Sequence, residues 1–313
     1  MSTQPVREGH VTGLVHRGYV PCCALLLLGS VCGAAQCLAA GDARLAAALP
    51  GIEADIDKSG ADVAVAFRTL DGRSQWFLRA DEPFHAASTM KVAVLIELYR
   101  QVHAGRVKLE DPLTVRNEFH SLVDGSVYKL DPADDSETDL YRALGESRTL
   151  GQLSELMITV SSNLATNLLM AKLGVDNIRA GVHAVGADGM NVRRPLEDSK
   201  AFAQGLNNTT TARALLQLLE ALAAGRAVDP QASHQMIAVL ERQTVNERIP
   251  AGLPPATKVA HKTGEITKIR HDAAIVYAPR PFVLVVLTRG LSDDKAADAL
   301  IADIARRLYD ATQ

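Results

Sequence analysis

Strand-forming runs lie at both ends of this 313-residue chain, and helix-forming runs fill the stretch between them. Val63, Val65 and Phe67 alternate through Asp62–Arg68 with the period of a half-buried strand. Leu70-Asp71-Gly72-Arg73 is a hairpin turn signal, and Ser74–Leu78 makes the return strand, so this pair is antiparallel. Three more strand-like runs come after the boundary Gly252-Leu253-Pro254-Pro255: Lys258–His261, Ala273–Tyr277 and Phe282–Thr288. Strands so far apart must meet across everything in the middle, which makes the middle an insertion. The expected fold is therefore α+β. An antiparallel sheet is flanked by N- and C-terminal helices and carries an inserted all-helical lobe. Residues 41–86 and 255–313 would form the α/β lobe, residues 87–254 the helical lobe, and the crevice between them the site.

The flanking helices are visible as apolar positions at helical spacing. Leu45, Leu49, Ile52 and Ile56 mark the first, interrupted by Pro50 and Gly51; Ala296, Leu300, Ile304 and Leu308 mark the last. Inside the insertion, a helix runs from near Ser88 to near Gly105. Leu150–Leu173 is helical with a break at Ser161-Ser162-Asn163 and a stop at Gly174. Thr209-Thr210-Thr211 caps a helix over Ala212–Ala224, and Ser233–Glu241 is a further helical stretch. Gly181–Asn208 has four glycines and little periodicity, which fits a long structured loop. Asp131-Pro132-Ala133-Asp134-Asp135 is an acidic loop, read as a solvated insertion because its carboxylates lack a ligand pattern and no histidine is near.

The first 40 residues stand outside this scheme. Arg7, His16 and Arg17 precede an apolar stretch from Val20 to Ala35, and small residues continue up to Ala39-Ala40. This is the pattern of a secretory signal peptide cleaved near Ala39 or Ala40. An uncleaved anchor is the other reading, although the stretch is short for a span. All four cysteines (Cys22, Cys23, Cys32, Cys37) lie in this leader, so the mature chain has no disulfide and no thiol chemistry. Removing the leader's net charge of +1 (Arg7 and Arg17 against Glu8) from the whole chain's −3 leaves −4. That balance, without any Lys/Arg-rich tract, argues against a nucleic-acid partner. The expectation is a soluble periplasmic monomer with no membrane span after leader removal.

Ser88 and Lys91 lie three residues apart at the head of the apolar run Val92–Ile96. A helix starting there puts both on one face. The free N–H groups and dipole of the first turn favour an anion. A serine oxygen in that place becomes a nucleophile once something takes its proton, and a lysine held partly neutral by burial can do so. Ser126–Lys129 and Ser292–Lys295 share the spacing, so the pair alone does not separate a nucleophile from an N-cap serine beside a solvated lysine.

The distinction rests on four short motifs in order along the chain: Ser88-Thr89-Met90-Lys91, then Ser161-Ser162-Asn163, then Glu197 in the glycine-rich loop, then Lys262-Thr263-Gly264. This set resembles the serine β-lactamase and penicillin-binding protein superfamily, and specifically the class A β-lactamases. The likeness spans roughly Ala43 to Tyr309. It implies Ser88 as the nucleophile that forms an acyl-enzyme and Lys91 as the group that shares or takes its proton. Ser161 would pass a proton to the leaving nitrogen, and Asn163 would bond both Lys91 and the substrate amide. Lys262 and Thr263 would hold a substrate carboxylate. The N–H groups of Ser88 and Glu265, the residue after Gly264, would form the oxyanion hole. Glu197 would activate the deacylating water. The implied substrate is a small β-lactam or peptidoglycan-like molecule, with no metal or organic cofactor.

Three positions depart from the pattern. Ser162 stands where the class A motif has Asp. Ala201 stands four residues after the glutamate, where the family has an asparagine that helps hold the water; Asn207 or Gln204 would be its substitute. Glu265 stands where the family has a small or neutral side chain, and its charge would repel a substrate carboxylate unless it pairs. Lys268 or Arg270 could pair with it, or could read the substrate carboxylate instead. These departures keep two alternatives open: a D-Ala-D-Ala peptidase or esterase/amidase of the same superfamily, and a non-enzymatic sensor that acylates once. His261 and His271, on either side of the last motif, are expected to be hydrogen-bonded structural residues.

Overall fold

The structure is a computed structural model that describes residues 32–313, with side chains from residue 43 onward. The leader expected over residues 1–40 lies, up to residue 31, outside the described residues. Helix α1 covers Cys32–Ser59, and strands β1 (Asp62–Thr69) and β2 (Gln75–Leu78) come next. The central helices are α2 (Lys91–His103), α3 (Leu150–Thr159), α4 (Asn163–Leu173), α5 (Val175–Ala184), α6 (Ala212–Ala223) and α7 (Pro230–Leu240). The chain closes with β3 (Lys258–Ile266), β4 (Ile269–Tyr277), β5 (Phe282–Arg289) and α8 (Asp294–Thr312).

The five strands form one sheet in the order β2-β1-β5-β4-β3, and each neighbouring pair is antiparallel. The early strand β1 lies against the last strand β5, with Asp62 opposite Arg289 and Thr69 opposite Phe282. The sheet thus closes across the whole helical middle, as the placement of strand signals at both chain ends requires.

Strand β1 is buried on both faces, where its alternation suggests one. Val63, Val65 and Phe67 pack with Ile52 and Ile56 of α1 and Ile301, Ile304 and Leu308 of α8. The residues between them, Ala64 and Ala66, face the opposite core with α2 and α6. The alternation is one of large and small apolar side chains, and the small ones allow close approach of the central helices. Strand β5 is fully buried along Phe282–Leu287, in keeping with its continuous apolar run.

Helix α2 is buried on every side from Lys91 to Tyr99, in keeping with its apolar run. The break near Ser161 and the stop at Gly174, which has φ +86°, are both present. Thr149 and Gln152 form a reciprocal capping box at the start of α3, and Thr211 caps α6 through the Ala214 N–H.

Several expectations need correction. Pro50 does not interrupt α1, which runs through it. The long loop begins later than Gly181, because α5 continues to Ala184, and it contains a short helix at Ser199–Ala203. The first of the late strand runs extends past His261 to Ile266, so Lys262-Thr263-Gly264 sits within β3. Finally, the acidic loop is not simply solvated: Asp135 is buried beside the start of α4.

The turn Ile249–Gly252 is wedged against α8. A Cβ added at Gly252 would stand 1.9 Å from the backbone oxygen of Ala302. Backbone cannot rotate away as a side chain does. Gly252→Ala should therefore lower stability by at least about 2 kcal/mol, read as a lower urea midpoint with an unchanged m-value. A midpoint equal to that of the parent protein would contradict this packing.

Candidate active site

Ser88 sits in the tight turn Ala87–Met90 that leads into α2. Thr89 Oγ1 donates to the Ala86 carbonyl at 2.6 Å, and the Ala87 N–H donates to His85 Nδ1 at 3.1 Å. Burial and nearby Arg194 lower the His85 pKa, which keeps Nδ1 free to accept. Strand β3 presses on the same turn. A Cβ at Gly264 would meet Thr89 Cγ2 at 3.0 Å and Ala87 Cβ at 3.2 Å. The glycine of Lys-Thr-Gly is therefore demanded by contact with the serine turn.

Ser88, Ser161, Asn163, Glu197, Thr263, Gly264 and Glu265 all line one cleft of ≈ 740 Å³. Among the described residues, six non-glycine residues have positive φ, and three of them, Ala87 (45°), Ser161 (62°) and Glu197 (62°), line this cleft. Strained backbone of this kind persists only where the surroundings hold it, and it concentrates at functional sites.

Lys91 and Lys262 lie beneath the cleft, fully buried. Lys91 Nζ donates to Ser161 O at 2.5 Å, Ser161 Oγ at 3.1 Å and Asn163 Oδ1 at 2.9 Å. Lys262 Nζ donates to the same Ser161 Oγ at 3.0 Å and to Thr263 O at 2.9 Å. Burial pushes the Lys91 amine down to about 7, while the charges of Asp135, Glu197 and Glu265 pull it back up. Lys262 is held well below its ordinary value by burial, by Lys91 and by Arg248. A hydroxyl oxygen has two lone pairs and one proton. With both lone pairs of Ser161 taken by lysine N–H groups, its own proton is left to point elsewhere. The amine of Lys91 is one helical turn from Ser88, as the spacing implies, but its hydrogen bonds go to the Ser161–Asn163 turn.

Glu197 projects from the glycine-rich loop. Its Oε1 accepts from Asn163 Nδ2 at 3.3 Å, and its Oε2 accepts from the Asp131 N–H at 3.4 Å. Burial raises its pKa, against these two hydrogen bonds, and Asp135 and Asp134 raise it further. The preceding residue is pinned firmly. Asn167 accepts from Leu196 N at 2.7 Å and donates to Leu196 O at 2.9 Å, and Tyr128 Oη also donates to Leu196 O at 3.2 Å. Ala201 is buried, and neither Asn207 nor Gln204 lines the cleft, so the expected substitute for the missing asparagine is not there.

Glu265 is paired. Its carboxylate accepts from Arg270 Nη1 at 2.5 Å and from Arg248 Nη2. Burial alone would raise its pKa, but these two guanidiniums hold it below the ordinary value. Arg270 faces Glu265 directly across the β3–β4 ladder and also pairs with Asp294. It is not part of the cleft wall. The reading of Arg270 as an anchor for the substrate carboxylate is thus corrected: its register commits it to Glu265. Lys268 is not the partner.

Sequence reasoning misses Arg248 and Asp135. Arg248 has a side chain 1% exposed, and besides Glu265 it bonds Asp298 Oδ1 at 2.7 Å and the His271 carbonyl at 2.9 Å. Its partners come from β3, β4 and α8, so no local pattern announces it. Asp135 is visible as one acid among several, and nothing in the spacing marks it as the buried one.

The two histidines are structural, as expected. His261 Nδ1 lies 3.0 Å from Asp272 Oδ1. Burial lowers the His271 pKa to about 4, so the ring is neutral. Its Nε2 lies 2.9 Å from His85 O, and its Nδ1 lies 2.7 Å from Arg270 O and 3.1 Å from Thr288 N. No group of three or more His, Cys, Asp or Glu among the described residues is arranged to hold a metal.

Known proteins share this arrangement of fold and sequence. The model of the family described as "Beta-lactamase enzyme family" matches residues 47–312. A β-lactamase of Streptomyces albus G is 29% identical over 259 residues, covering 80% of each chain. A solved β-lactamase of Sphaerobacter thermophilus is 28% identical, with a TM-score of 0.72 over 86% of this chain and 96% of that one. An ancestral class A β-lactamase is also 28% identical, with a TM-score of 0.71 over 84% of this chain and 98% of that one.

The buried amine of Lys91 makes stability depend on pH. Its value falls from an ordinary 10.5 to about 7 on folding. Between those values the unfolded chain binds more protons than the folded one, so stability rises with pH through that window and is flat below it. Unfolding free energies of the parent protein and Lys91→Met, measured from pH 6 to pH 10, should diverge by roughly 1 kcal/mol per pH unit above pH 7. Parallel curves would mean that the amine titrates normally.

Proposed function

The chain belongs to the β-lactamase enzyme family, and from that premise we propose that it hydrolyses β-lactams as a class A-type serine enzyme, through an acyl intermediate on Ser88. The observation that carries the reading is the meeting of Lys91 and Lys262 on Ser161 Oγ, in the wall of the cleft that also holds Ser88 and Glu197.

In the first half-reaction Ser88 Oγ attacks the lactam carbonyl carbon. The serine proton passes to Lys91, whose value near 7 leaves a large neutral fraction at physiological pH. Negative charge develops on the carbonyl oxygen and is met by the N–H groups of Ser88 and Glu265. The C–N bond then breaks. Ser161, whose lone pairs face the two lysines, gives its proton to the ring nitrogen and is reprotonated from Lys91. In the second half-reaction Glu197 takes a proton from water as the water oxygen attacks the acyl carbon. The Ser88 ester bond breaks, and the proton returns to Ser88. The raised pKa of Glu197 suits a group that must accept a proton and release it again.

The substrate carboxylate is met in the cleft wall by Thr263, with the amine of Lys262 buried behind it on Ser161 Oγ and the Thr263 carbonyl. Glu265, which would otherwise repel it, is neutralised by Arg248 and Arg270. A peptidase or a one-turnover sensor is not favoured, because Glu197 sits in the same cleft as the nucleophile and is held there by Asn163. The leader places the enzyme in the periplasm after cleavage, and the catalytic domain begins near residue 41, with residues 87–254 as its helical part. No helix among the described residues is long and apolar enough to cross a membrane.

Intact-protein mass and absorbance, followed together after mixing with a chromogenic cephalosporin, test this reading. The parent protein should turn over with an acid limb near pH 7, and Ser88→Ala should show neither hydrolysis nor adduct. Glu197→Ala should accumulate a Ser88 adduct, with deacylation slowed by roughly 100- to 10,000-fold. Hydrolysis that survives Ser88→Ala would overturn the mechanism. A permanent adduct on the parent protein would move the assignment to a penicillin-binding role.

A further inference from the structure

The turn that delivers Ser161 and Asn163 carries Ser162 where class A sequences resembling this one carry Asp. Ser162 is fully buried, and among the described residues its hydroxyl accepts only the Ala165 N–H, at 3.2 Å. The N–H groups of Asn163 and Leu164, in the first turn of α4, therefore need another acceptor. They find it in Asp135 of the acidic loop. Its oxygens accept from Asn163 N at 2.9 and 3.0 Å and from Leu164 N at 2.9 Å. Tyr141 Oη donates to Oδ2 at 2.9 Å, and Glu137 N donates to Oδ1 at 3.2 Å. Ser136 ties the same loop to the same break, donating to Val160 O at 2.6 Å. Asp135 is a buried, saturated carboxylate.

We propose that Asp135 is a positioning residue of the acyl-transfer site, supplying from the acidic loop the carboxylate that the Ser161–Asn163 turn lacks and thereby holding Ser161 Oγ and Asn163 Oδ1 on the Lys91 amine. The inference rests on the reading of this cleft as an acyl-serine site. Two buried lysines share one oxygen there, and they need a fixed negative charge nearby if either is to be protonated during the cycle. The charged groups that face Lys91 are Asp135, Glu197 and Glu265, with Lys262 acting in the opposite sense. Asp135 leads the groups that raise the Lys91 value, and it also raises that of Glu197. An uncharged helix cap would satisfy the N–H groups of α4 without bearing on either titration.

Asp135→Asn keeps the shape and one acceptor oxygen but removes the charge. Tyr141→Phe keeps the charge and removes the O–H that offsets it. The rate of Ser88 adduct formation, from pH 5 to 9, and the titration of 13C-labelled lysine side chains, read by NMR, distinguish the two roles. In Asp135→Asn the Lys91 titration and the acid limb should move to lower pH by about half a unit or more, with the plateau reduced roughly tenfold or more. In Tyr141→Phe both should move to higher pH. A titration and limb that stay fixed in both variants, with only the thermal midpoint changing, would reduce Asp135 to a helix cap and overturn the proposal. If Asp135→Asn does not fold, the direction of the Tyr141→Phe shift decides it. Should the parent protein form no adduct, the reading of the cleft fails, and the lysine titration still decides the role of Asp135.

Discussion

Two buried lysine amines converging on one serine oxygen are the constraint on which the rest of the site depends. Lys91 comes from the first residue of α2, Lys262 from the interior of β3, and Ser161 from the break between α3 and α4. None of the three can be placed without the others. Burying an amine is costly unless its N–H groups are satisfied, and two of them near one oxygen also repel each other. The chain meets this with carbonyl, hydroxyl and amide acceptors in contact and carboxylates one layer out. Both amines are consequently held below their ordinary values, which is what proton transfer near neutral pH requires. A site that lowers stability in order to keep a base neutral must be carried by the surrounding core. The doubly covered sheet and the all-round burial of α2 provide that core.

The charges around Glu265 obey the same logic. Read in the sequence, an acid after Lys-Thr-Gly counts against an anionic substrate. In the fold it is the centre of a cluster with Arg248 and Arg270, which are themselves tied to Asp298 and Asp294. Arg248 does more than neutralise. It donates to the carbonyls of Gly264 and His271, fastening β3 and β4 where β3 meets the serine turn. Substitution of Glu265 by a neutral residue would leave a buried guanidinium short of a partner, so the acid is retained with its counter-charges as a unit.

Legibility in the sequence depends on how local each cause is. The sheet, the buried helix α2 and the break at Ser161 are readable because periodicity, capping residues and glycine act over a few neighbours. The four motifs are readable because the chemistry restricts the residue types. Arg248 and Asp135 are not, because what marks them out is contact with residues 16 to 50 positions away in sequence. The alternation in β1 suggests one buried face because period 2 reports only that the two faces differ; that the second face holds alanines against α2 and α6 is a packing fact. Arg270 is open to the substrate in the sequence because only the β3–β4 register sets it opposite Glu265.

Asn163 links the two halves of the proposed cycle. Its amide oxygen accepts from Lys91 and its nitrogen donates to Glu197. One planar group thus touches the base of acylation and the base of deacylation. When Lys91 is protonated it draws the amide oxygen more strongly, which polarises the amide and strengthens the N–H donor toward Glu197. In the proposed cycle Lys91 is protonated between the attack of Ser88 and the break of the C–N bond, so that polarisation belongs to the first half-reaction. Where related enzymes have an asparagine after the glutamate, Ala201 offers no polar atom and is buried. Control of Glu197 then falls to Asn163 and the Asp131 N–H, both at the long end of hydrogen bonding. The Glu197 carboxylate is thus set from two sides, by the head of α4 through Asn163 and by the acidic loop through Asp131.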